Sequence, residues 1–177
     1  MQISPGELEP ATGVGTARLI LRPMTASDVE AMLAGAHPAE WAEDFPQPMD
    51  VDTARMLEDG GGAFDIATSF GRLAIVERGT GLVVGTIGFE GPPIDRVGEL
   101  ICSVCPSRRN RGYATEATTA VVDFTFSFPQ ITAVQASTTW DGHAAQRVLV
   151  KCGFTPLDAD PDATFERGYR RERPATV

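Results

Sequence analysis

The chain has 177 residues, of which 42% are hydrophobic and 22% charged, as is typical of one globular domain. Its 24 acidic residues outnumber 15 basic residues, and the net charge of −9 disfavours a broad surface for nucleic acid or anionic lipid. No apolar run approaches the length of a membrane span, and the N-terminus lacks the pattern of a secretory signal. We therefore expect a cytoplasmic protein without nucleic-acid or membrane partners, with a loose lead-in at residues 1–16 and a single domain over residues 17–177.

Cysteine and histidine are too scarce to predict a disulfide framework or a metal site. The chain has three cysteines and two histidines. Cys102 and Cys105 are three positions apart, and on a strand that spacing places the two thiols on opposite faces. We expect no bound metal.

The first elements predicted along the chain are a strand and a helix, followed by a long loop. Residues 18–23 alternate in hydrophobicity as a short strand does. Either Thr25 or Ser27 is expected to cap the helix that follows. Residues 36–70 are rich in Pro and Gly, which is typical of a lid or binding loop, with a short helix at residues 51–59.

The remainder of the chain predicts a meander of strands and then alternating helices and strands. Strands are expected at residues 72–78, 82–90 and 97–105, then a helix at 112–127, a strand at 131–139, a helix at 144–152, and one or two strands in the tail, the better candidate being 163–171. Gly153 is expected to be a left-handed cap after the second of these helices. The order of elements indicates an α+β or mixed α/β fold, and not a doubly wound dinucleotide fold.

The segment that carries most chemical information is C-P-S-R-R-N-R-G-Y-A-T-E-A, at residues 105–117. A strand ends there, an Arg-rich turn follows, and an amphipathic helix begins. Free backbone N–H groups at a helix N-terminus bind anions, and Gly112 allows the backbone to approach a phosphate closely. The spacing of a P-loop is absent. The segment therefore predicts a pyrophosphate site.

Three runs of this sequence resemble the GNAT acetyltransferases. R-N-R-G-Y-A at residues 109–114 is similar to their acyl-CoA signature [QR]-x-x-G-x-[GA]. R-L-I-L-R-P at residues 18–23 resembles the opening strand of the family, and V-L-V-K-C-G-F at residues 148–154 resembles its late helix ending in K-x-G-F. The resemblance covers about residues 16–170 and extends to the RimJ/RimL-like branch.

This resemblance implies a mixed, mostly antiparallel sheet that is flanked by helices and splays open after the strand ending near Cys105. Acetyl-CoA, the co-substrate, would lie in that cleft. Its pantetheine arm would pair with the backbone of Cys102, Ser103 and Val104. Its pyrophosphate would be wrapped by the residues of the following loop and first helical turn, which are Arg109, Asn110, Arg111, Gly112, Tyr113, Ala114 and Thr115.

The resemblance also implies N-acetyl transfer to a primary amine of a small molecule or of a protein N-terminus. A protonated amine must lose a proton before it attacks the thioester, to a side chain directly or through a water. Relatives often have a Glu at the position of Glu99, which we expect to be the base, with Glu90 as the next candidate. The backbone N–H of Val104 is expected to stabilise the carbonyl oxygen.

Four positions depart from the family pattern. Asn110 replaces a usual Gly, Cys102 replaces a frequent Tyr, and two others leave the general acid open. Relatives of this branch commonly have Asn and Ser where this chain has Gly142 and Ala145. The role of those side chains would pass to Asp141, to His143 or to water.

The acceptor is expected to contact the loop at residues 36–70. There Glu40, Trp41 and Phe45 combine an acid with aromatic surface, which suits a cationic amine. Trp41 and Phe45 fit equally well as residues that pack the loop onto the core. The acidic net charge favours a small-molecule amine over a ribosomal surface.

Two other functions stay open at this point. One is a non-catalytic acyl-CoA-binding or regulatory module, because of Gly142 and Ala145. The other is a protein that binds a different phosphate ligand through a similar loop. The oligomeric state, monomer or homodimer, is also open.

Overall fold

The computed structural model describes residues 13–59, 71–158 and 166–175. Its strands are β1 (Val14–Gly15), β2 (Leu19–Pro23), β3 (Arg72–Glu77), β4 (Val83–Phe89), β5 (Val97–Val104), β6 (Ala133–Thr139), β7 (Thr155–Pro156) and β8 (Glu166–Glu172). Its α-helices are α1 (Ala26–Leu33), α2 (Pro48–Asp59), α3 (Tyr113–Thr125) and α4 (His143–Lys151), and a short 3-10 helix, Pro106–Arg108, precedes α3. The predicted α+β class is confirmed.

The strands form one mixed sheet in the order β1-β2-β3-β4-β5-β6-β8-β7. All neighbouring pairs are antiparallel except β5 and β6, which are parallel. In the described residues these two strands pair only where Val97–Glu99 faces Ala133–Gln135. Beyond Glu99 they separate, and this separation is the predicted cleft.

Helices cover both faces of the sheet. Asp50 of α2 accepts a hydrogen bond from Ser103 of β5, whereas Thr118 of α3 is hydrogen-bonded to Cys102. Adjacent residues of a strand point to opposite faces, so α2 and α3 lie on opposite sides of β5. The core side chains between the layers include Leu19, Leu21, Ile75, Val84, Ile87, Val122 and Val134, all fully buried.

Local sequence determines where the first two helices begin. Of the two predicted caps, Thr25 and Ser27, it is Thr25 that caps α1. Thr25 and Asp28 form a capping box, in which the side chain of each accepts a hydrogen bond from the backbone N–H of the other. α2 begins at Pro48, earlier than predicted, because proline is well tolerated at a first helical position. The Asp50 carboxylate also accepts the backbone N–H of Gln47 at 2.8 Å.

The predicted ends of the chain need one correction. Val14 and Gly15 belong to the segment expected to be a loose lead-in, but they pair with Leu21 and Ile20 as β1. Residues 1–12 lie outside the described part of the chain, as do residues 60–70 of the predicted loop and residues 163–165 of the predicted tail strand. Gly153, at a φ of +80°, has the left-handed conformation expected after α4.

Gly85 marks the closest approach of β4 to β5. A Cβ at this position would overlap the carbonyl oxygen of Ser103 and lie 3.0 Å from the Cα of Val104. We expect Gly85→Ala to lower the free energy of unfolding by about 2 kcal/mol, because both contacts are with backbone that cannot move alone. Urea denaturation measures this effect.

The matched control for Gly85 is Gly79, where a Cβ would meet nothing within 4 Å. Gly79→Ala should change the free energy of unfolding by no more than about 0.5 kcal/mol. Equal urea midpoints for the two variants would contradict the close approach of β4 and β5.

Candidate active site

The cleft is lined by backbone groups of β5 that point away from β4. The N–H of Cys105 donates to Val84 O at 2.8 Å, and the N–H of Glu90 donates to Glu99 O at 3.0 Å. Because hydrogen-bonding directions alternate along an antiparallel strand, the N–H and C=O groups of Cys102 and Val104 point to the opposite side, toward β6. No strand of the described residues pairs with them there. Arg109 Nε already donates to Val104 O, so the N–H groups of Cys102 and Val104 and the C=O of Cys102 are available to an extended ligand.

The loop after β5 is shaped as an anion site. Asn110 and Gly112 have φ values of +59° and +83°, and α3 begins directly afterwards at Tyr113. The first bond inside the helix runs from Glu116 N–H to Gly112 O at 3.0 Å. The N–H groups of the first turn therefore have no carbonyl partner within the helix, and they carry its partial positive charge.

Arginines of this loop are anchored to neighbouring elements. Arg109 Nε donates to Val104 O at 3.0 Å, which ties the loop back to the end of β5. Arg108 and Arg111 approach the Glu77 carboxylate at 3.2 and 3.8 Å. The phenol of Tyr113, which is buried, donates to the same carboxylate at 2.6 Å. Glu77 thus collects three partners from residues 107–115, which we call the phosphate loop after its predicted ligand.

The charge state of Glu77 follows from these contacts. Burial raises its pKa, but hydrogen bonds from Thr80, Tyr113 and Arg108, together with the charge of Arg108, outweigh burial and hold the pKa below its ordinary value. Glu77 is therefore ionised at neutral pH and is a stable anchor for the loop arginines.

Asp44 joins the loop before α2 to the loop before α3. Its carboxylate accepts the backbone N–H of Ser107 at 2.7 Å and the Ser107 hydroxyl at 2.6 Å. Burial opposes ionisation, but these two bonds dominate and lower the pKa of Asp44 to about 2. The segment expected to contact the acceptor is thereby bonded to the start of the phosphate loop.

Glu99 and Glu90, the two predicted bases, lie opposite one another at the end of β4 and on β5. Burial raises the pKa of Glu99, and the nearby charges of Glu90 and Glu166 raise it further. Ser137 Oγ donates to Glu99 Oε1 at 3.4 Å and offsets part of this increase. Glu99 is half-buried at the point where β5 and β6 separate, so its position suits a general base at the bottom of the cleft.

A buried polar group beside the cleft was missed by sequence reasoning. Asp50, fully buried, accepts hydrogen bonds from Thr86 at 2.6 Å and from Ser103 at 3.2 Å. Burial raises the pKa of Asp50, although its hydrogen bonds and the charge of Arg72 act in the other direction. Thr86, a polar residue within an apolar strand, was the available signal for this group.

Arg72 completes that group. It is 5% exposed and lies across Gly88, where a Cβ would be 3.1 Å from its Cδ, and Nη1 reaches Ile101 O at 3.5 Å. Burial lowers the pKa of Arg72, while the charges of Glu90 and Asp50 raise it. A guanidinium stays charged in proteins, and that of Arg72 balances the carboxylates on the α2 face of the sheet.

The three residues expected to bind the acceptor differ in exposure. Trp41 and Phe45 are 3% and 1% exposed and make an edge contact with centroids 5.2 Å apart. The carbonyl of Glu40 accepts Val83 N–H at 2.8 Å, and its side chain is exposed. Burial favours the packing alternative for Trp41 and Phe45, and only Glu40 offers its side chain to an acceptor.

Gly142 and Ala145, the departures that bear on the general acid, lie at the start of α4. Gly142 precedes the helix and His143 is its first residue. A Cβ at Gly142 would overlap Thr138 Oγ1 and lie 3.0 Å from Thr139 O. The Thr138 side chain thus occupies the space that a larger residue at position 142 would need.

A pocket of about 570 Å³ opens beside the first turns of α3. It is lined by Thr16, Arg18, Gly112, Thr115, Glu116, Thr119, Ala120 and Lys151. Lys151, at the end of α4, is the single lysine of the sequence. The pocket borders the phosphate loop and carries two cationic side chains.

The described residues contain no group of three or more His, Cys, Asp or Glu side chains placed to hold a metal ion. None of their helices combines the length and the apolar character needed to cross a membrane.

Comparison with known proteins gives one family. The chain matches the sequence model described as Acetyltransferase (GNAT) domain over residues 18–155. It is 28% identical over 149 residues to "Uncharacterized N-acetyltransferase YoaA" of Bacillus subtilis (strain 168), a match that covers 78% of this chain and 80% of that protein.

Solved structures share the fold. The ribosomal-protein-S5-alanine acetyltransferase of Vibrio fischeri superposes with a TM-score of 0.66 at 14% identity, covering 90% of this chain and 95% of that one. The spermidine N-acetyltransferase of Vibrio cholerae, solved with CoA and spermine, gives a TM-score of 0.61 at 13% identity and covers 89% of this chain and 97% of that one. Identities this low show similarity of fold.

Proposed function

The chain belongs to the GNAT family of acetyltransferases, and from that premise we propose that it transfers an acetyl group from acetyl-CoA to a primary amine. The observation that carries this proposal is the gap between β5 and β6. There the outward backbone groups of Cys102 and Val104 lead directly into the anion site at the start of α3. A ligand with an extended arm that ends in a pyrophosphate fits these backbone groups followed by an anion site.

Acetyl-CoA is proposed to bind through backbone groups and a few cations. The pantetheine arm takes the place of the missing strand beside β5, along Cys102, Ser103 and Val104. The pyrophosphate binds the loop and first turn at residues 109–115. The spermidine N-acetyltransferase of Vibrio cholerae, which shares this fold, was solved with CoA, and this supports the choice of co-substrate.

The proposed reaction is direct attack of the amine on the thioester. Glu99 accepts a proton from the protonated amine, directly or through a water, and the free nitrogen attacks the carbonyl carbon. The Val104 N–H stabilises the oxyanion that forms. The attacking nitrogen of this intermediate loses its second proton to water, the C–S bond breaks, the CoA thiolate takes up a proton, and the acetylated amine leaves. Asp141, His143 or water supplies that proton.

The acceptor is proposed to be a cationic small-molecule amine. Glu90, Glu99 and Glu166 interact electrostatically on one side of the cleft, and Glu40 adds an exposed acid on the loop before α2. The net charge of −9 disfavours docking on an anionic ribosomal surface. A protein N-terminus is the second acceptor class to be tested.

Arg109→Ala tests the cofactor site. Removing its hydrogen bond to Val104 O releases the loop from β5, so we expect the Kd for acetyl-CoA to rise about tenfold. Isothermal titration calorimetry measures this. The control is Arg55→Ala, because Arg55 is exposed and pairs only with exposed Asp52 on α2 in the described structure. Equal Kd values for both variants would contradict the proposed site.

A further inference from the structure

Arg18 contacts the phosphate loop from outside. Its Nη1 donates to Arg111 O at 2.8 Å, and its guanidinium lies 4.9 Å from the centre of the Tyr113 ring. A Cβ at Gly112 would be 3.2 Å from Nη2 of Arg18. One side chain that precedes β2 therefore touches three consecutive residues at the turn into α3.

Glu116 holds Arg18 in that position. Its Oε2 accepts Nε and Nη2 of Arg18, both at 2.7 Å, in a two-pronged ion pair. Its Oε1 accepts the backbone N–H of Arg18 at 2.8 Å and the Thr16 hydroxyl at 2.6 Å. Four donors from a short segment thus converge on one carboxylate in the first turns of α3.

Without its ion pair to Arg18, the carboxylate of Glu116 would be unfavourable for anion binding at the start of α3. Glu116 lies just inside the helix whose N-terminus forms the anion site, and its charge repels a phosphate. Its side chain is 17% exposed and that of Arg18 is 50% exposed. The carboxylate is therefore turned toward Thr16 and Arg18, and the ion pair neutralises it.

We propose that Arg18 and Glu116 are positioning residues that fix the conformation of the phosphate loop before acyl-CoA binds. The inference rests on the proposed function of the loop. A loop that is already in its binding conformation loses less conformational freedom on binding, so the pair increases affinity without contacting the ligand. The pair acts through Arg111 O, Gly112 and Tyr113.

Glu116→Gln separates positioning from direct contact, because the two ideas predict opposite signs. If the pair positions the loop, the Kd for acetyl-CoA rises about fivefold, even though a negative charge near the anion site is removed. If Arg18 binds phosphate itself from the adjoining pocket, loss of Glu116 leaves the Kd unchanged or lowers it. That second result overturns the proposal.

Arg18→Ala and Arg18→Lys complete the series. We expect Arg18→Ala to raise the Kd about tenfold, and Arg18→Lys to recover little, since lysine lacks the planar fork. With saturating acetyl-CoA, kcat should stay within about twofold of wild type. Full recovery by Arg18→Lys would mean that charge alone is needed, which contradicts the proposal.

A second substrate distinguishes positioning from general loss of structure. S-acetylpantetheine lacks the pyrophosphate, so its kcat/KM should be unaffected by Arg18→Ala, whereas kcat/KM for acetyl-CoA should fall about tenfold. Equal losses with both substrates would indicate a merely structural role and overturn the proposal. Failure of the wild type to bind acetyl-CoA would instead refute the proposed function itself.

The matched control pair is Arg22 and Asp28. Arg22, on β2, forms a two-pronged ion pair at 2.7 and 2.9 Å with Asp28 in the first turn of α1, away from the phosphate loop. Arg22→Ala and Asp28→Asn should lower the melting temperature and leave the Kd for acetyl-CoA within about twofold of wild type. A similar rise in Kd for both pairs would refute a specific role of Arg18 and Glu116.

Discussion

Glu99→Gln is expected to lower kcat for amine acetylation by about a thousandfold while leaving the Kd for acetyl-CoA unchanged. The amide cannot accept the proton of the amine, but its size and its place on β5 are the same, so the cleft keeps its shape. Steady-state thiol release gives kcat, and calorimetry gives the Kd. A variant with kcat close to wild type would exclude Glu99 as the base.

Glu90→Gln is the control that separates the two candidate bases. Glu90 acts on Glu99 through its charge, which raises the pKa of Glu99. We therefore expect Glu90→Gln to retain kcat within about tenfold of wild type at its pH optimum. The opposite ranking of the two variants would assign the base to Glu90.

The pH profile of kcat/KM tests independently whether the charge of Glu90 raises the pKa of Glu99. Burial and neighbouring carboxylates place the pKa of Glu99 above the ordinary value, and only the ionised form accepts a proton. Activity should fall as the pH decreases through this raised pKa. In Glu90→Gln the pKa of Glu99 is lower, so the acidic limb should move to lower pH, and a shift to higher pH would contradict the coupling.

The second large effect is expected at Asp50. Asp50→Ala should lower the free energy of unfolding by about 3 kcal/mol, because it leaves the buried hydroxyls of Thr86 and Ser103 and the N–H of Gln47 without their acceptor. It also removes one of the two carboxylates, Asp50 and Glu90, whose charges act on buried Arg72. Urea denaturation followed by circular dichroism measures the change.

Asp52, two residues after Asp50 on α2, is the matched control. Its side chain is 66% exposed and its partner Arg55 is 63% exposed. Asp52→Ala should change the free energy of unfolding by less than about 0.5 kcal/mol. If Asp50→Ala were as stable as Asp52→Ala, the buried polar group would have no structural role.

Most of the fold could be predicted because local signals agree with it. The Gly-rich turn after β3, the proline after β5 and the amphipathic period of α3 each determine an element boundary without help from the rest of the chain. The predicted GNAT family is confirmed by the match over residues 18–155. The phosphate-binding role of residues 109–115 stays a prediction, and it could be made because its signature is contiguous in sequence.

The unpredicted features depend on contacts between distant residues. Glu116 meets Arg18 across 98 positions, and Ser103 meets Asp50 across 53. In sequence, Asp50 is an ordinary acid directly before the predicted helix at residues 51–59, and burial gives it a different role. Trp41 and Phe45 read equally well as binding or packing residues, because hydrophobicity does not distinguish a cleft wall from a core.

The most direct test of the account is thiol release from acetyl-CoA in the presence of a panel of primary amines. The panel should include diamines, polyamines, amino sugars and peptides with a free N-terminus, with acetylated products identified by mass spectrometry. We predict amine-dependent release of CoA with one acetylated amine formed per thiol, lost in Glu99→Gln. Tight binding of acetyl-CoA without amine-dependent thiol release from any member would contradict the account and favour a non-catalytic acyl-CoA-binding module.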